Sequence, residues 1–287
     1  MAIDVIIKQK LFGNKSMPLR VILGDDLQYG IYEGERLETG KLGGGEFIAY
    51  NPYCVGRGFS VSWKPDETKE IALRLPIPST KYEIKDFYSA VERMVNHWGG
   101  SLTVDGSKVS LSDFLSDLER RVEVNNDILN QISSGVINGE HGDLVLYSAM
   151  WPLTMGMEEA RRFLGDPEYY AWWLHKNQTV DACFESPRFY YEEGGICGKY
   201  MLMSDLVAIF PNKPTVPLGA IDYSTGRPIE CKKWSVIIAA DGKVVCDVEY
   251  SEFLELIPKE KICRFDGARF LLSEMTEEEI MALADHK

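Results

Sequence analysis

The first third of the chain alternates short apolar runs with glycine-rich or charged turns. Six runs have the length and composition of β-strands: Ala2–Lys8, Leu19–Leu23, Tyr29–Tyr32, Glu46–Tyr50, Phe59–Trp63 and Ile71–Leu75. Short strands at this spacing are typical of antiparallel sheets rather than of alternating strand–helix–strand units. The pattern therefore predicts an antiparallel sheet in this region.

A helical pattern follows the proline-rich segment at residues 76–78. Thr80 and Glu83 have the spacing of a capping box, in which each side chain hydrogen-bonds the backbone N–H of the other. Apolar residues then recur every three or four positions, as on one face of a helix: Ile84, Phe87, Tyr88, Val91, Val95 and Trp98. We predict a helix over residues 81–98.

Two later segments share a hairpin-then-helix pattern. Asp105-Gly106 and Asp241-Gly242 each separate two apolar runs, and Asp-Gly tolerates the positive φ angles of a two-residue type I′ turn. Ser112 is the predicted N-cap of a helix that ends near Gly135 after the first hairpin, and a similar start occurs at Ser251 after the second. The recurrence favours two similar hairpin–helix halves.

The region between these halves has weaker patterns. Residues 143–149 indicate a strand and residues 158–164 a short helix. Asp166 and Pro167 fit the N-cap and first position of an aromatic helix, and Thr276 with Glu279 repeats the capping-box spacing for a terminal helix.

These elements predict an α+β fold of mostly antiparallel sheets with packed helices. A chain of 287 residues fits one large domain or two modest ones. We predict a strand-rich half with two helices over residues 1–135 and a mixed half over residues 136–287, and one continuous domain is the alternative.

The cysteine pattern indicates free thiols. None of the six cysteines belongs to a C-x-x-C pair, which is typical of reduced thiols in a cytoplasm. In the second hairpin a two-residue turn places Cys246 opposite Ile237 and Cys231 opposite Glu252, so that no disulfide between Cys231 and Cys246 is expected.

Charge and hydropathy indicate which classes of macromolecule the protein can bind. Asp plus Glu number 44 against 31 Lys plus Arg, a formal charge of −13 that repels phosphate backbones, so we expect no nucleic-acid binding. A basic protein partner suits this charge, although solubility alone also explains it. No stretch approaches the roughly 18 apolar residues that cross a bilayer, and the N-terminal residues lack signal-peptide features. We predict a cytoplasmic protein that binds no membrane.

One set of residues fits thiol catalysis. Cys54 lies in a turn-like segment with Arg57, where a neighbouring imidazole such as His97 would activate it as a nucleophile, with Arg57 as an anion contact. In the other interpretation, His97 complements the negative end of its helix and Cys54 is a small buried apolar residue.

Metal binding lacks a specific motif. The histidines include His141 and His175, yet the helical double-histidine spacing of H-E-x-x-H does not occur. We therefore predict neither a metal site nor a cofactor.

The aromatic helix is the other candidate site. Tyr169, Tyr170, Trp172 and Trp173 cover more than one helix face, which implies burial on two sides or an exposed aromatic surface. Such residues anchor many interfaces and also fill many cores. We treat all four as candidate binding residues.

A family resemblance extends over nearly the whole chain. Residues Tyr50–Phe59, with Trp63, Leu73–Pro76 and the pair Phe87-Tyr88, resemble an uncharacterised family of similar-length proteins from Gram-positive bacteria, described as a domain of unknown function. This resemblance implies no activity, ligand or catalytic residue.

Three functional hypotheses remain open. The first is a non-catalytic binding or interaction protein with an acidic surface, and the second is a thiol-dependent enzyme that uses Cys54 and His97. The third is a small-molecule binding protein with its pocket between the two halves. The absence of a specific catalytic motif favours the first.

Overall fold

The structure is a computed structural model that describes residues 1–10, 12–217 and 219–285. The chain divides into two compact units, unit 1 (Met1–Val180) and unit 2 (Asp181–Lys287). Each unit has its own sheets and its own buried cluster of apolar side chains.

An eight-stranded antiparallel sheet forms the centre of unit 1. Its spatial order is β3-β2-β4-β5-β6-β1-β7-β8. The strands are β1 (Ala2–Lys8), β2 (Gln28–Glu33), β3 (Arg36–Thr39), β4 (Glu46–Tyr50), β5 (Phe59–Ser62), β6 (Glu70–Pro76), β7 (Ser101–Val104) and β8 (Ser107–Val109). A separate antiparallel pair consists of β9 (Leu144–Leu146) and β10 (Leu153–Met155).

The helices of unit 1 are α1 (Leu19–Leu23), α2 (Lys81–Trp98), α3 (Leu111–Ser116), α4 (Leu118–Ile137), α5 (Met157–Phe163) and α6 (Pro167–Gln178). Alternate residues of the central strands, such as Val5 and Val61, share one apolar cluster with the inward face of α2. The predicted division after residue 135 falls inside unit 1, because α4 continues across this position and contacts both α2 and α5.

The predicted helix over residues 81–98 is confirmed as α2. The Glu83 backbone N–H donates to Thr80 Oγ1 at 3.1 Å, and the Thr80 N–H donates to Glu83 Oε2 at 2.9 Å, which completes the capping box. Gly99 ends the helix with a φ of 57°, a left-handed conformation that glycine adopts without strain. Local sequence signals therefore determine both ends of α2.

The strand prediction for Leu19–Leu23 is wrong, because this segment forms α1. The carbonyl oxygens of Val21 and Ile22 accept hydrogen bonds from the Arg93 guanidinium of α2 at 3.1 and 2.8 Å. In a sheet, these two carbonyl oxygens would accept hydrogen bonds from a neighbouring strand. In α1 they accept them from Arg93, which is distant in sequence.

Two boundaries also need correction. Ser110, not Ser112, caps the helix after the first hairpin, since the Asp113 N–H donates to Ser110 Oγ at 3.0 Å. This region forms two consecutive helices that meet at Asp117, and the second ends at Ile137. The strand predicted over residues 143–149 is limited to β9.

Unit 2 contains two four-stranded sheets and one short strand pair. The strands are β11 (Cys183–Phe184), β12 (Arg188–Glu192), β13 (Gly195–Met203), β14 (Ala208–Pro211), β15 (Ile221–Asp222), β16 (Arg227–Pro228), β17 (Cys231–Ala240), β18 (Lys243–Glu249), β19 (Ile262–Arg264) and β20 (Arg269–Leu272). The sheets have the orders β12-β13-β17-β18 and β11-β14-β20-β19, and β15 pairs with β16. The helices α7 (Tyr250–Leu256) and α8 (Glu277–Asp285) pack on β17 and β18, and a 3-10 helix spans Lys259–Lys261.

The two predicted Asp-Gly hairpins are confirmed as β7–β8 and β17–β18. Asp105 and Asp241 have φ angles of 49° and 47°, as the first position of a type I′ turn requires. Each hairpin lies at a sheet edge and precedes a helix. However, β7 pairs antiparallel with β1, whereas β17 pairs parallel with β13.

The predicted register of the second hairpin holds only next to the turn. Ala239 pairs with Val244, but a bulge then places Cys246 opposite Ile238 instead of Ile237. One extra residue in β18 accounts for this shift. Neither Cys231 nor Cys246 forms a disulfide.

The architecture confirms the predicted α+β class with mostly antiparallel sheets. The parallel pairs described are β11 with β14 and β13 with β17. No helix in the described part of the chain is long and apolar enough to span a membrane.

Candidate functional site

A pocket of about 360 Å³ opens on the surface of unit 1. We call it the aromatic pocket, because three exposed aromatic side chains line it together with polar residues. Its lining consists of Tyr53, Cys54, Thr80, Tyr82, Glu168, Ala171, Trp172 and His175. The pocket thus brings together the turn after β4, the start of α2 and one face of α6.

Helix α6 contributes half of this lining through one helical face. Glu168, Ala171, Trp172 and His175 follow the spacing i, i+3, i+4, i+7, which places them side by side on a helix. The opposite side of α6 buries Tyr170 and Trp173, with 1% and 5% exposure. The core therefore fixes which residues of α6 face the pocket.

Glu83 connects the turn at residues 51–58 to the start of α2. The Gly58 N–H donates to Glu83 Oε1 at 2.6 Å, while Oε2 accepts from the Thr80 N–H. A Cβ atom at Gly56 would lie 2.3 Å from Glu83 Oε2, so that glycine is needed for this approach. Because Tyr53 and Cys54 belong to the same turn, Glu83 fixes their position relative to Tyr82.

Three side chains hold the segment that precedes α2. Pro78 O accepts hydrogen bonds from Arg57 Nη1 at 3.0 Å and from the Tyr170 hydroxyl at 3.1 Å. Asn125 binds both backbone groups of Ser79, accepting from its N–H and donating to its carbonyl, each at 2.8 Å. All backbone groups named here have protein partners, so that side chains hold the segment leading to Thr80, which lines the pocket.

His175 contacts the turn through its ring. The Val55 N–H donates to His175 Nδ1 at 3.1 Å, so that this nitrogen is unprotonated. In a neutral imidazole the proton then lies on Nε2, which acts as a donor. Since the nitrogen that would accept a proton already binds Val55, His175 is poorly placed to act as a general base.

The environment of Cys54 favours the neutral thiol. Burial raises the pKa of Cys54 to about 11, and the carboxylates of Asp86 and Glu83 shift it in the same direction. A nucleophilic cysteine requires the opposite shift, which cationic neighbours produce. The thiol is therefore protonated at neutral pH.

The charged groups at the rim form a small network. Glu168 Oε1 lies 2.5 Å from Lys81 Nζ, and Glu168 Oε2 accepts from the Tyr82 hydroxyl at 3.3 Å. Two lysines lie over aromatic rings, with Lys81 Nζ 5.1 Å from the centroid of Tyr82 and Lys176 Nζ 5.1 Å from that of Trp172. Both distances are within the range of cation–π contacts.

The structure separates the predicted catalytic residues. Tyr82 in the first turn of α2 lines the pocket with Cys54, whereas His97 lies in the last turn of the same helix. At a rise of 1.5 Å per residue, His97 is about 22 Å from Tyr82 along the helix axis. His97 Nε2 is instead 3.1 Å from Ser16 O. Arg57 Nε donates to Tyr147 O at 3.0 Å in addition to its bond with Pro78, so its guanidinium serves internal contacts.

The predicted aromatic binding residues divide into two pairs. Tyr170 and Trp173 are buried in the core of the unit. Trp172 is 50% exposed, and its ring centroid is 5.2 Å from that of half-buried Tyr169. Tyr53 and Tyr82, which the sequence did not single out, are 83% and 41% exposed and extend the aromatic surface around the pocket.

Sequence reasoning also missed the position of His175 and Glu168. The helical spacing of 168, 171, 172 and 175 was readable once the helix start at Asp166 was predicted, because these positions share one face. Their proximity to Cys54 depends on tertiary packing, which no local pattern encodes. Among the residues that the structure describes, no group of three or more His, Cys, Asp or Glu side chains is arranged to hold a metal ion.

Comparison with known proteins gives one match. The sequence profile of a family described as a domain of unknown function (DUF4299) matches residues 2–283. No curated protein and no solved structure matches the chain. The resemblance to an uncharacterised family is therefore confirmed over nearly the whole chain.

Proposed function

Because the chain belongs to the DUF4299 family, whose description assigns no function, we propose a function from the geometry of the aromatic pocket. We propose a non-catalytic binding protein whose pocket receives a basic side chain of a protein partner. The observation that carries this proposal is the exposure of Tyr53, Tyr82 and Trp172 around the carboxylate of Glu168.

The size and lining of the pocket suit one cationic side chain. Its volume of about 360 Å³ is near the lower end of ligand pockets, which span roughly 300–1,000 Å³. Lys81 and Lys176 lie over two of its rings, so that these rings suit ammonium groups, and an incoming cation would take the place of these two side chains. An incoming lysine or arginine would gain the same cation–π attraction together with the charge of Glu168.

The surrounding charge supports a basic partner. The chain has a formal charge of −13, and the carboxylate of Glu168 lines the pocket. Complementary charge of this kind accelerates association and selects among partners. Exposed aromatic residues supply most of the binding energy at many interfaces.

Selection from a random peptide library against the full-length protein tests this proposal. We expect enrichment of peptides that contain lysine or arginine, and a loss of affinity of about tenfold or more in Trp172→Ala, the usual cost at an aromatic anchor. Tyr223→Ala is the matched control, since Tyr223 is 94% exposed in unit 2 and outside this pocket. Selection of peptides without basic residues, or equal affinity of both variants, would contradict the proposal.

A thiol-dependent enzyme is the second candidate. Cys54 and His175 line one pocket, which favours it, whereas the raised pKa of Cys54 and the hydrogen bond at His175 Nδ1 oppose it. Hydrolysis of an activated ester such as p-nitrophenyl acetate, compared between the natural chain and Cys54→Ser, distinguishes the candidates. Repeated turnover that disappears in Cys54→Ser would replace the binding proposal.

A bacterial cytoplasm is the location that we propose for this protein. None of its six cysteines forms a disulfide, and unpaired cysteines in such number are typical of reducing compartments. Fractionation of cells that express the tagged chain tests this proposal, and recovery in a secreted or membrane fraction would contradict it.

A further inference from the structure

Unit 2 contains a larger cavity of different chemistry, at one end of the β12-β13-β17-β18 sheet. Its volume is about 670 Å³. We call it the lysine groove, because Lys199, Lys213, Lys232 and Lys233 line it. We propose that the lysine groove binds a small organic anion that combines a flat ring with phosphate groups.

The charge of the residues that line the groove favours an anionic ligand. Three carboxylates, those of Glu192, Asp247 and Glu249, share the lining with the four lysines. Glu192 and Asp247 both bind Lys199, at 2.7 and 2.8 Å. The lining is therefore more positive than the chain as a whole, whose formal charge is −13.

Three of the lysines are available to a ligand. In the part of the chain that the structure describes, Lys213, Lys232 and Lys233 are exposed and form no ion pair. Several ammonium groups beside one cavity, with Asn212 as a further hydrogen-bonding group, match the charge of a phosphate ester. Lys199 has a different role, since its two carboxylates fix it in the wall.

The aromatic part of the lining favours a ligand that contains a flat ring. Trp234 lies flat over Gly198, where a Cβ atom would be 2.4 Å from Trp234 Cζ3. Tyr200 stacks against the same ring, with centroids 5.9 Å apart and an interplanar angle of 29°. Gly198, Tyr200 and Phe189, whose ring meets the indole edge-on at 6.2 Å between centroids, hold a partly exposed indole at the cavity. The exposed part of this indole is a surface on which a second ring packs favourably.

The volume decides the size of the ligand. About 670 Å³ lies in the middle of the range for small-molecule pockets, roughly 300–1,000 Å³. The negative charge of the rest of the chain opposes a nucleic acid, whose phosphates extend far beyond one groove. A molecule with one flat ring system and a few phosphates satisfies both limits.

Trp234 provides a specific reporter for the test. It is the one tryptophan of the six that lies after residue 180. We suggest fluorine NMR of the full-length protein labelled with 5-fluorotryptophan, in which Trp234→Phe assigns the resonance. The probes are ADP, adenosine and inorganic pyrophosphate, which separate the contribution of the ring from that of the phosphates.

We expect ADP to shift the Trp234 resonance in a saturable manner and to bind at least about tenfold more tightly than adenosine or pyrophosphate. The triple variant K213Q/K232Q/K233Q should bind ADP roughly 10- to 100-fold more weakly, if each exposed ammonium contributes up to about 1 kcal/mol. The variant K69Q/K85Q/K108Q makes the same charge change on exposed lysines of unit 1 and should bind normally. All six positions are exposed, so both variants should fold.

Three results would overturn the proposal. The first is the absence of any saturable shift with ADP, and the second is an equal loss of affinity in both triple variants. The third is pyrophosphate binding as tight as that of ADP, which would exclude an aromatic ligand. None of these results depends on the aromatic pocket of unit 1.

Discussion

Each unit contains a glutamate whose pKa is raised by burial, and the two glutamates differ in the groups that contact their carboxyls. In unit 1, Glu83 is 4% exposed and accepts hydrogen bonds from the backbone N–H groups of Gly58 and Thr80. In unit 2, Glu185 accepts from the Met201 backbone and lies near Arg188. Burial raises the pKa of both carboxyls, that of Glu185 to about 7.

This difference separates a structural role from a titrating one. Glu83 connects the turn at residues 51–58 to α2, so that its removal leaves the backbone N–H groups of Gly58 and Thr80 without their acceptor. Glu185 changes its protonation near neutral pH, and Tyr250 of the lysine groove is close enough to interact with its charge. We therefore expect the stability of unit 1 around the aromatic pocket to depend on Glu83, and the stability of unit 2 to depend on pH.

The largest predicted effect tests the first half of this comparison. Glu83→Ala should lower the free energy of unfolding of unit 1 by about 4 kcal/mol, because two buried N–H groups lose their acceptor. Urea denaturation followed by tryptophan fluorescence measures this loss, since five of the six tryptophans precede residue 180. Half-buried Glu92 on the same helix provides the control, and Glu92→Ala should cost much less. Equal losses would refute the structural role of Glu83.

The second prediction concerns pH and Glu185. An acid whose folded pKa is raised from about 4.5 to about 7 does not affect stability below pH 4.5, where both states are protonated. Stability then falls as pH rises through this interval, by up to about 3 kcal/mol, and remains lower above pH 7.

Glu185→Gln should remove this part of the pH dependence and stabilise unit 2 at pH 8. Denaturation monitored through the Trp234 fluorine resonance at pH 4.5 and pH 8 provides the measurement. The same pH dependence in the natural chain and the variant would show that Glu185 ionises normally.

The smallest predicted effect compares two cysteines. Cys54 in unit 1 should react with iodoacetamide at neutral pH roughly tenfold more slowly than exposed Cys263 in unit 2, because its thiolate is scarce. Mass spectrometry of the labelled peptides over time gives both rates. Faster labelling of Cys54 would indicate an activated thiol and would revive the catalytic hypothesis.

Features that depend on adjacent residues could be predicted from the sequence. Thr80 and Glu83 are three positions apart, and Asp-Gly pairs fix their own turn, so α2 and both hairpins follow from local chemistry. The bulge in β18 could not be predicted, since the turn determines the register only for the first pairs.

Features that depend on contacts between distant residues could not be predicted from the sequence. The run Leu19–Leu23 has the composition of a strand, but Arg93 binds its carbonyl groups and packing on α2 selects the helix. The sequence paired Cys54 with His97, whereas in the structure His175 lines the pocket with Cys54, because sequence cannot rank the two histidines by distance. The aromatic surface was predicted in part, through Trp172.

The two faces of α6 also have a consequence for how the family can diversify. Positions 170 and 173 belong to the core, whereas positions 168, 172 and 175 face the aromatic pocket. Positions 168 and 172 can change without loss of a core contact, whereas His175 also accepts the hydrogen bond of the Val55 N–H. Under the function proposed above, single nucleotide changes at positions 168 and 172 would alter the partner of the protein while the scaffold stays the same.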